Sequence, residues 1–190
     1  FIDDHMFKKF NEIYHFIDEF KESDLSKLNS KISIIYRNYT GKIKIERIIQ
    51  IKEFCKKTER KFYLANNFKL AYKLRLDGAY IPSFNKSMKH NCYNKRLSFK
   101  ILGSAHNIQE INIKDKQNVD CIFISPLFKT HKTKKFLGIY KFLKLKKFSR
   151  KKIIALGGIN KKNLKQLNKL QCFGLAAISF IKDEYYINEY

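Results

Sequence analysis

Gly157 and Gly158 stand where an apolar strand stops and a helix begins, in the segment KKIIALGGIN at 151–160. Residues 153–156 read as a strand buried on both faces, and Asn160 is placed to cap a helix that Asn163, Leu164 and Leu167 continue. Two glycines let a ligand approach bare backbone, while the first amides and the dipole of a following helix favour an anion. Phosphate binding is the chemistry such a turn supports, although the same pair also serves as a plain tight turn. A second apolar strand, 173–178, follows one helix later and ends at Ser179. Two consecutive strand ends of this kind, bringing Ile178 and Ser179 beside the glycines, are how the last strands of a (β/α)8 barrel build a phosphate seat.

A seat of that kind requires strands and helices to alternate along the chain, and apolar periodicity predicts that they do. The end of a first strand is expected at 1–3, then a helix on which Phe7, Phe10, Ile13, Tyr14 and Ile17 share a face. A strand at 32–36 precedes a helix carrying Ile45, Ile48, Ile49, Ile51 and Phe54. Strands at 62–65 and 79–81 flank a short helix through Leu70, Ala71 and Leu74, and residues 82–97 carry no helical period. The remainder reads as a strand at 99–102, a helix through Ile108 and Ile111, a strand at 119–124, a polar loop at 126–137 and a helix through Tyr140 and Leu143. Eight short strands with long connections demand right-handed crossovers and a parallel sheet, and one (β/α)8 TIM barrel over residues 1–190 is the expected architecture. The glycine fingerprint of an open, dinucleotide-binding sheet is absent after the first strand. With its start at Phe1 and the tail DEYYINEY, the barrel is expected to be short, incomplete at its N-terminal strand and C-terminal helix.

Composition sets the remaining bounds. The net charge of +23 would ordinarily point to nucleic acid, but only six of the 40 basic residues are arginines and the lysines are dispersed along the chain. A lysine-rich chain that is also rich in Ile, Asn, Phe and Tyr carries the mark of codon bias, so no nucleic-acid partner is expected. No apolar run reaches the length of a membrane span, and no membrane partner is expected. Cys55, Cys92, Cys121 and Cys172 lack metal-ligand spacing, which predicts reduced, structural thiols in a cytoplasmic protein.

With the strands placed, the motifs at their C-terminal ends resemble the thiamine phosphate synthase family and its TenI (thiazole tautomerase) branch. The resemblance runs through YRNY at 36–39, LANNFKLA at 64–71, DGAYIPS at 77–83 and ILGSAHNIQEI at 101–111. It continues through DCIFISPLFKT at 120–130, IIALGGI at 153–159 and FGLAAIS at 173–179. It implies an enzyme that couples hydroxymethylpyrimidine diphosphate with thiazole phosphate, forming a C–N bond and releasing pyrophosphate. Arg37, Ser104 and Thr130 match the family's catalytic arginine and hydroxyl donors to the departing diphosphate. Asn66 is a substrate-binding position on this resemblance, as are Lys132 and Lys134, although the family's T-x-T-K is shifted here, Thr130 being followed by Lys132 and then by Thr133 and Lys134; Gly157, Gly158, Ile178 and Ser179 match the thiazole phosphate seat. His106 lies in the matching SAH segment, where packing or capping is its simplest role.

The departures are as specific. Asn67 and Asn85 stand where the family's synthases carry two aspartates that hold Mg2+; each keeps an oxygen but loses a negative charge, which weakens affinity for a hard cation. Ile35, Tyr39 and Tyr80 replace a glutamine, a lysine and a histidine of the synthase pattern. Pro126 stands where the tautomerase branch has its catalytic histidine, whereas the segment 81–83 is closer to that branch. The expected function is thiamine phosphate synthesis with a degenerate Mg2+ site. Non-catalytic binding of thiazole phosphate or thiamine phosphate is one alternative, and a basic nucleic-acid module is another.

Overall fold

The structure is a computed structural model that describes residues 9–39, 44–130 and 135–177. Eight parallel strands close into a barrel in sequence order: β1 Glu12–Ile17, β2 Ile32–Tyr36, β3 Phe62–Ala65, β4 Gly78–Ile81, β5 Lys100–Ala105, β6 Cys121–Ile124, β7 Lys152–Leu156 and β8 Gly174–Ala177. The connecting helices are α1 Glu22–Ser26, α2 Ile45–Lys57, α3 Phe68–Lys73, α4 Ile108–Lys116, α5 Gly138–Lys146 and α6 Lys161–Lys169. A single 3-10 turn, Lys89–Cys92, interrupts the β4–β5 connection.

One element differs in kind from its expectation. The segment read as a helix through Phe10, Ile13, Tyr14 and Ile17 is the first strand, pairing Ile13 with Ile32 on one side and with Leu175 on the other. A strand buried on both faces is apolar at successive positions, and apolar residues at 10, 13, 14 and 17 fit a helical stripe equally well. Burial on both sides decides the matter: Tyr14 and Phe16 enter the barrel interior, while Ile13 and Ile17 join the layer beneath the helices. The N-terminal strand is therefore paired on both edges, closing the barrel. The expected strand end at 1–3 and the C-terminal helix lie outside the described residues.

Two apolar layers result. Inside the barrel, Tyr14, Phe16, Tyr80 and Phe123 meet edge to face, with ring centroids 5.0–6.0 Å apart, and Ile35, Leu102, Ile154 and Ala176 fill the space around them. Outside, Ile48, Ile51, Phe54, Ala71, Ile111, Phe142 and Leu167 pack helices onto the sheet. Both layers are needed because each strand alternates its side chains between them. Buried Arg60 donates to the carbonyls of Leu25, Leu28 and Asn29, holding the turn that follows α1. Cys55, Cys121 and Cys172 are buried and Cys92 is exposed, all free; burial pushes the three buried thiols up, to about 12, 12 and 11. No helix among the described residues is long and apolar enough to cross a membrane.

Candidate active site

Because all eight strands run the same way, the ends of β2 to β7 share one rim, and the expected site residues that are described fall there. Arg37 follows β2 directly, its amide donating to the Ile17 carbonyl at 2.7 Å. Its guanidinium carbon lies 5.0 Å from the centre of the Phe16 ring and 5.9 Å from that of Tyr39. The cation therefore leans across the top of the aromatic pile, with a low-polarity floor beneath it. Ser104 lies inside β5 and is buried, with its hydroxyl facing the Tyr80 phenol closely enough to stabilise the phenolate form. Burial holds the Tyr80 phenol above its usual range, opposed by Ser104 and by the charge of Arg37, so it stays a neutral donor and acceptor.

Asn66 and Asn67 end β3 and open α3. Asn66 takes a left-handed conformation, φ 58°, which an asparagine tolerates better than most residues. Its side-chain oxygen accepts from Asn85 Nδ2 at 2.7 Å, joining the β3 and β4 ends. Asn67 is the N-cap of α3, accepting the Leu70 amide at 3.1 Å. Asn85 Oδ1 accepts the Ser87 amide at 2.9 Å. The family's Mg2+ fits this corner poorly. The side-chain oxygens of Asn67 and Asn85 already accept backbone amides, neither carries a charge, and no group of three His, Cys, Asp or Glu residues among the described residues is placed to hold a metal. Thr130 ends the described part of the loop after β6; Lys132 and Lys134 lie outside the described residues.

Gly157 and Gly158 follow β7 with φ +96° and +69°, a conformation that favours glycine. A Cβ on Gly157 would lie 2.9 Å from Pro126, and one on Gly158 would lie 2.5 Å from the carbonyl oxygens of Phe128 and Lys129. The β6–α5 loop is thus laid against this turn, Phe128 donating to the Gly157 carbonyl at 3.0 Å and Leu127 to that of Leu156 at 2.9 Å. Below, Asn160 and Asn163 form a reciprocal capping box at the start of α6, and Asn163 Nδ2 also holds the Gly158 carbonyl at 2.7 Å. Ile178 and Ser179 lie outside the described residues.

His106 places Nδ1 2.6 Å from the Ser125 carbonyl and 3.2 Å from Ser125 Oγ, so it bridges the ends of β5 and β6. Two residues that the motif reading left without a role now have one: Phe16, under Arg37, and Tyr80, on Ser104. Tyr80 was legible as a departure, but Phe16 was hidden by the helical reading of its strand.

The sequence profile described as thiamine monophosphate synthase matches residues 27–181. The chain belongs to the thiamine monophosphate synthase family. Within that family it is 30% identical over 146 residues to thiamine-phosphate synthase 1 of Streptococcus pneumoniae R6, covering 74% of this chain and 69% of that one. It is 29% identical over 154 residues to the thiamine-phosphate synthase of Persephonella marina, covering 78% and 72%. The fold matches thiamine phosphate pyrophosphorylase from Pyrococcus furiosus with a TM-score of 0.72 at 16% identity over 92% and 91% of the two chains. It also matches 3-hexulose-6-phosphate synthase from Salmonella typhimurium, with a TM-score of 0.70 at 13% identity over 92% and 95%. As a fold, then, the family's barrel is shared with enzymes of other names.

Proposed function

We propose that this chain is a thiamine phosphate synthase-like transferase of thiamine biosynthesis, coupling hydroxymethylpyrimidine diphosphate with thiazole phosphate. The observation that carries the reading is that Arg37, Asn66, Ser104 and the Gly157–Gly158 turn stand at the same ends of different strands of one barrel, with Thr130 in the loop that follows β6. The reaction joins the thiazole ring nitrogen to the pyrimidine methylene carbon. As that C–N bond forms, the C–O bond to the diphosphate breaks and pyrophosphate leaves with the electron pair.

Two charges must be held for this. The departing diphosphate gains negative charge as its bond breaks, and the Arg37 guanidinium, backed by Phe16, is assigned to it. Ser104 and Thr130 are assigned as hydroxyl donors to the same group. The thiazole phosphate is assigned to the amides of Gly157 and Gly158 at the start of α6, with Ile178 and Ser179 continuing that seat. Lys132 and Lys134 are assigned to the diphosphate by their match to the family's substrate-binding segment. The Mg2+ of the family has no matching carboxylates in Asn67 and Asn85.

The test is incubation with both substrates and measurement of thiamine phosphate and pyrophosphate by chromatography. Stoichiometric release of the two products supports the reading. Binding of thiazole phosphate without product would leave a binding protein in its place.

A further inference from the structure

The hollow beside Asn66 and Asn85 has a charge pattern opposite to that of a metal seat. It encloses about 200 Å3; its wall is largely apolar, with Phe68, Tyr80, Ile81 and Tyr93, while Asn66, Asn67, Asn85, Ser87 and the exposed Lys69 and Lys89 supply most of its polar groups, with no carboxylate among its lining residues. Behind it, Lys114 of α4 is fully buried, its Nζ donating to the carbonyls of Pro82 at 2.9 Å and Asn85 at 3.0 Å and to Gln117 Oε1 at 2.8 Å. Gln117 Nε2 grips the same loop, donating to the carbonyls of Asn85 and Ser87, each at 2.9 Å.

We infer that this hollow binds a polyphosphate anion directly, without a divalent cation: Lys69 and Lys89 supply the positive charge, and the ammonium of Lys114 fixes the Asn85 loop as its wall. The inference deepens the proposed function by stating how a diphosphate is held at this corner, and it rests on that reading for the identity of the anion. Three observations converge. The Asn67 and Asn85 oxygens each accept a backbone amide and one Asn85 Nδ2 hydrogen goes to Asn66, so what this pair offers a ligand is chiefly the Asn67 amide group and the second Asn85 hydrogen. The loop carbonyls nearest the corner already face an ammonium, and a divalent cation added there meets like charge at short range in a half-buried setting. Two further ammonium groups border the opening, and charge-assisted N–H donors are what phosphate oxygens accept. Lys114 is a positioning residue in this arrangement, because its donors point at the loop backbone.

Calorimetric titration of the full chain with inorganic pyrophosphate, in EDTA and in MgCl2, tests this. We expect the same affinity within about twofold in both buffers and no heat from Mg2+ alone. Lys69→Gln with Lys89→Gln should weaken pyrophosphate about tenfold, the scale of one lost charge-assisted contact. Asn67→Asp with Asn85→Asp should weaken it in EDTA and make binding Mg2+-dependent, which gives an independent measurement of opposite sign. Pyrophosphate binding that requires Mg2+ in the wild type, or a double lysine variant with wild-type affinity, overturns the inference. The two readings fail separately. Pyrophosphate bound in EDTA by a chain that makes no product removes the proposed function alone, whereas product formed only with Mg2+ removes the metal-free corner alone.

Discussion

Lys100 Nζ meets Glu12 Oε1 at 2.6 Å across the floor of the barrel, from the start of β5 to the start of β1 on the opposite wall. Tyr14 donates to the other carboxylate oxygen, so the lowest ring of the interior is polar and paired where the layers above it are apolar. Burial raises the Glu12 pKa, but the bonds from Lys100 and Tyr14 and the charge of Lys100 more than offset it, and the net shift is downward. The Lys100 pKa is raised, its loss of solvent outweighed by Glu12.

Loss of this pair should be felt in stability. Lys100→Met leaves a half-buried carboxylate still hydrogen-bonded to Tyr14 but without its ammonium, and should cost about 1–3 kcal/mol in urea unfolding at neutral pH. The depressed Glu12 pKa predicts a pH dependence of definite sign: the contribution is present above about 4.5, the ordinary Glu value, and is lost as pH falls through the lower folded value. Unfolding midpoints of wild type and Glu12→Gln should therefore converge in acid. Parallel curves down to the acid limit would contradict it.

Two glycines with the same φ of +69° separate backbone strain from crowding. Gly138→Ala meets nothing within 4 Å and should cost about 1–2 kcal/mol, the price of a left-handed alanine. Gly158→Ala adds a Cβ 2.5 Å from two loop carbonyls and should cost more, displacing residues 128–129. Thermal unfolding of both variants checks the order. For the same reason Gly158→Asp is a poor probe of phosphate binding, since the steric effect precedes the electrostatic one.

Replacing Arg37 tests the chemistry. Arg37→Ala should lower turnover by about 10²–10³-fold if the guanidinium holds charge on the leaving group, with little change in the urea midpoint. Arg37→Lys should recover part of it, because an ammonium keeps the charge and loses the planar fork. Steady-state kinetics beside an unfolding curve separates the two effects.

Lys114→Met removes the donor shared by the carbonyls of Pro82, Asn85 and Gln117. It should cost about 1–3 kcal/mol and speed hydrogen exchange at the Ser87 amide, which depends on the position of Asn85. Burial pushes the Lys114 pKa down to about 8 despite the charge of Glu110, so methionine also relieves a desolvation penalty and the net loss should fall in the lower half of that range. An unchanged exchange rate would show that Gln117 alone holds the loop.

The sequence carried the strand ends well because β/α alternation leaves a strong mark: β3 at 62–65 and the end of β7 at Leu156 fell where apolar runs met Asn66 and Gly157. β5 runs three residues further than its apolar core, through Ser104 to Ala105, because a strand end that lines a site carries small and polar residues. β1 was misread since double-sided burial erases the period-two signal. At the site, the motifs placed Arg37, Asn66 and the glycine turn, but they say nothing about which side-chain oxygen a backbone amide will claim. Asn67 was legible as a cap from the helix that follows it. The pairing of Asn85 with Asn66 and the grip of Lys114 on a loop about thirty residues upstream depend on tertiary approach, which no spacing encodes.

The aromatic pile beneath Arg37 also has an optical consequence. The chain has 11 tyrosines and no tryptophan, so tyrosine emission reaches the detector without transfer to an indole. Tyr80 sits between the lumen and the rim, beside Ser104 and edge-on to Phe16. Any occupant that pulls Arg37 away from Phe16 or competes for Ser104 changes the polarity felt by that phenol. The barrel thus carries its own unlabelled fluorophore at the mouth, and Tyr80→Phe identifies its share of the signal.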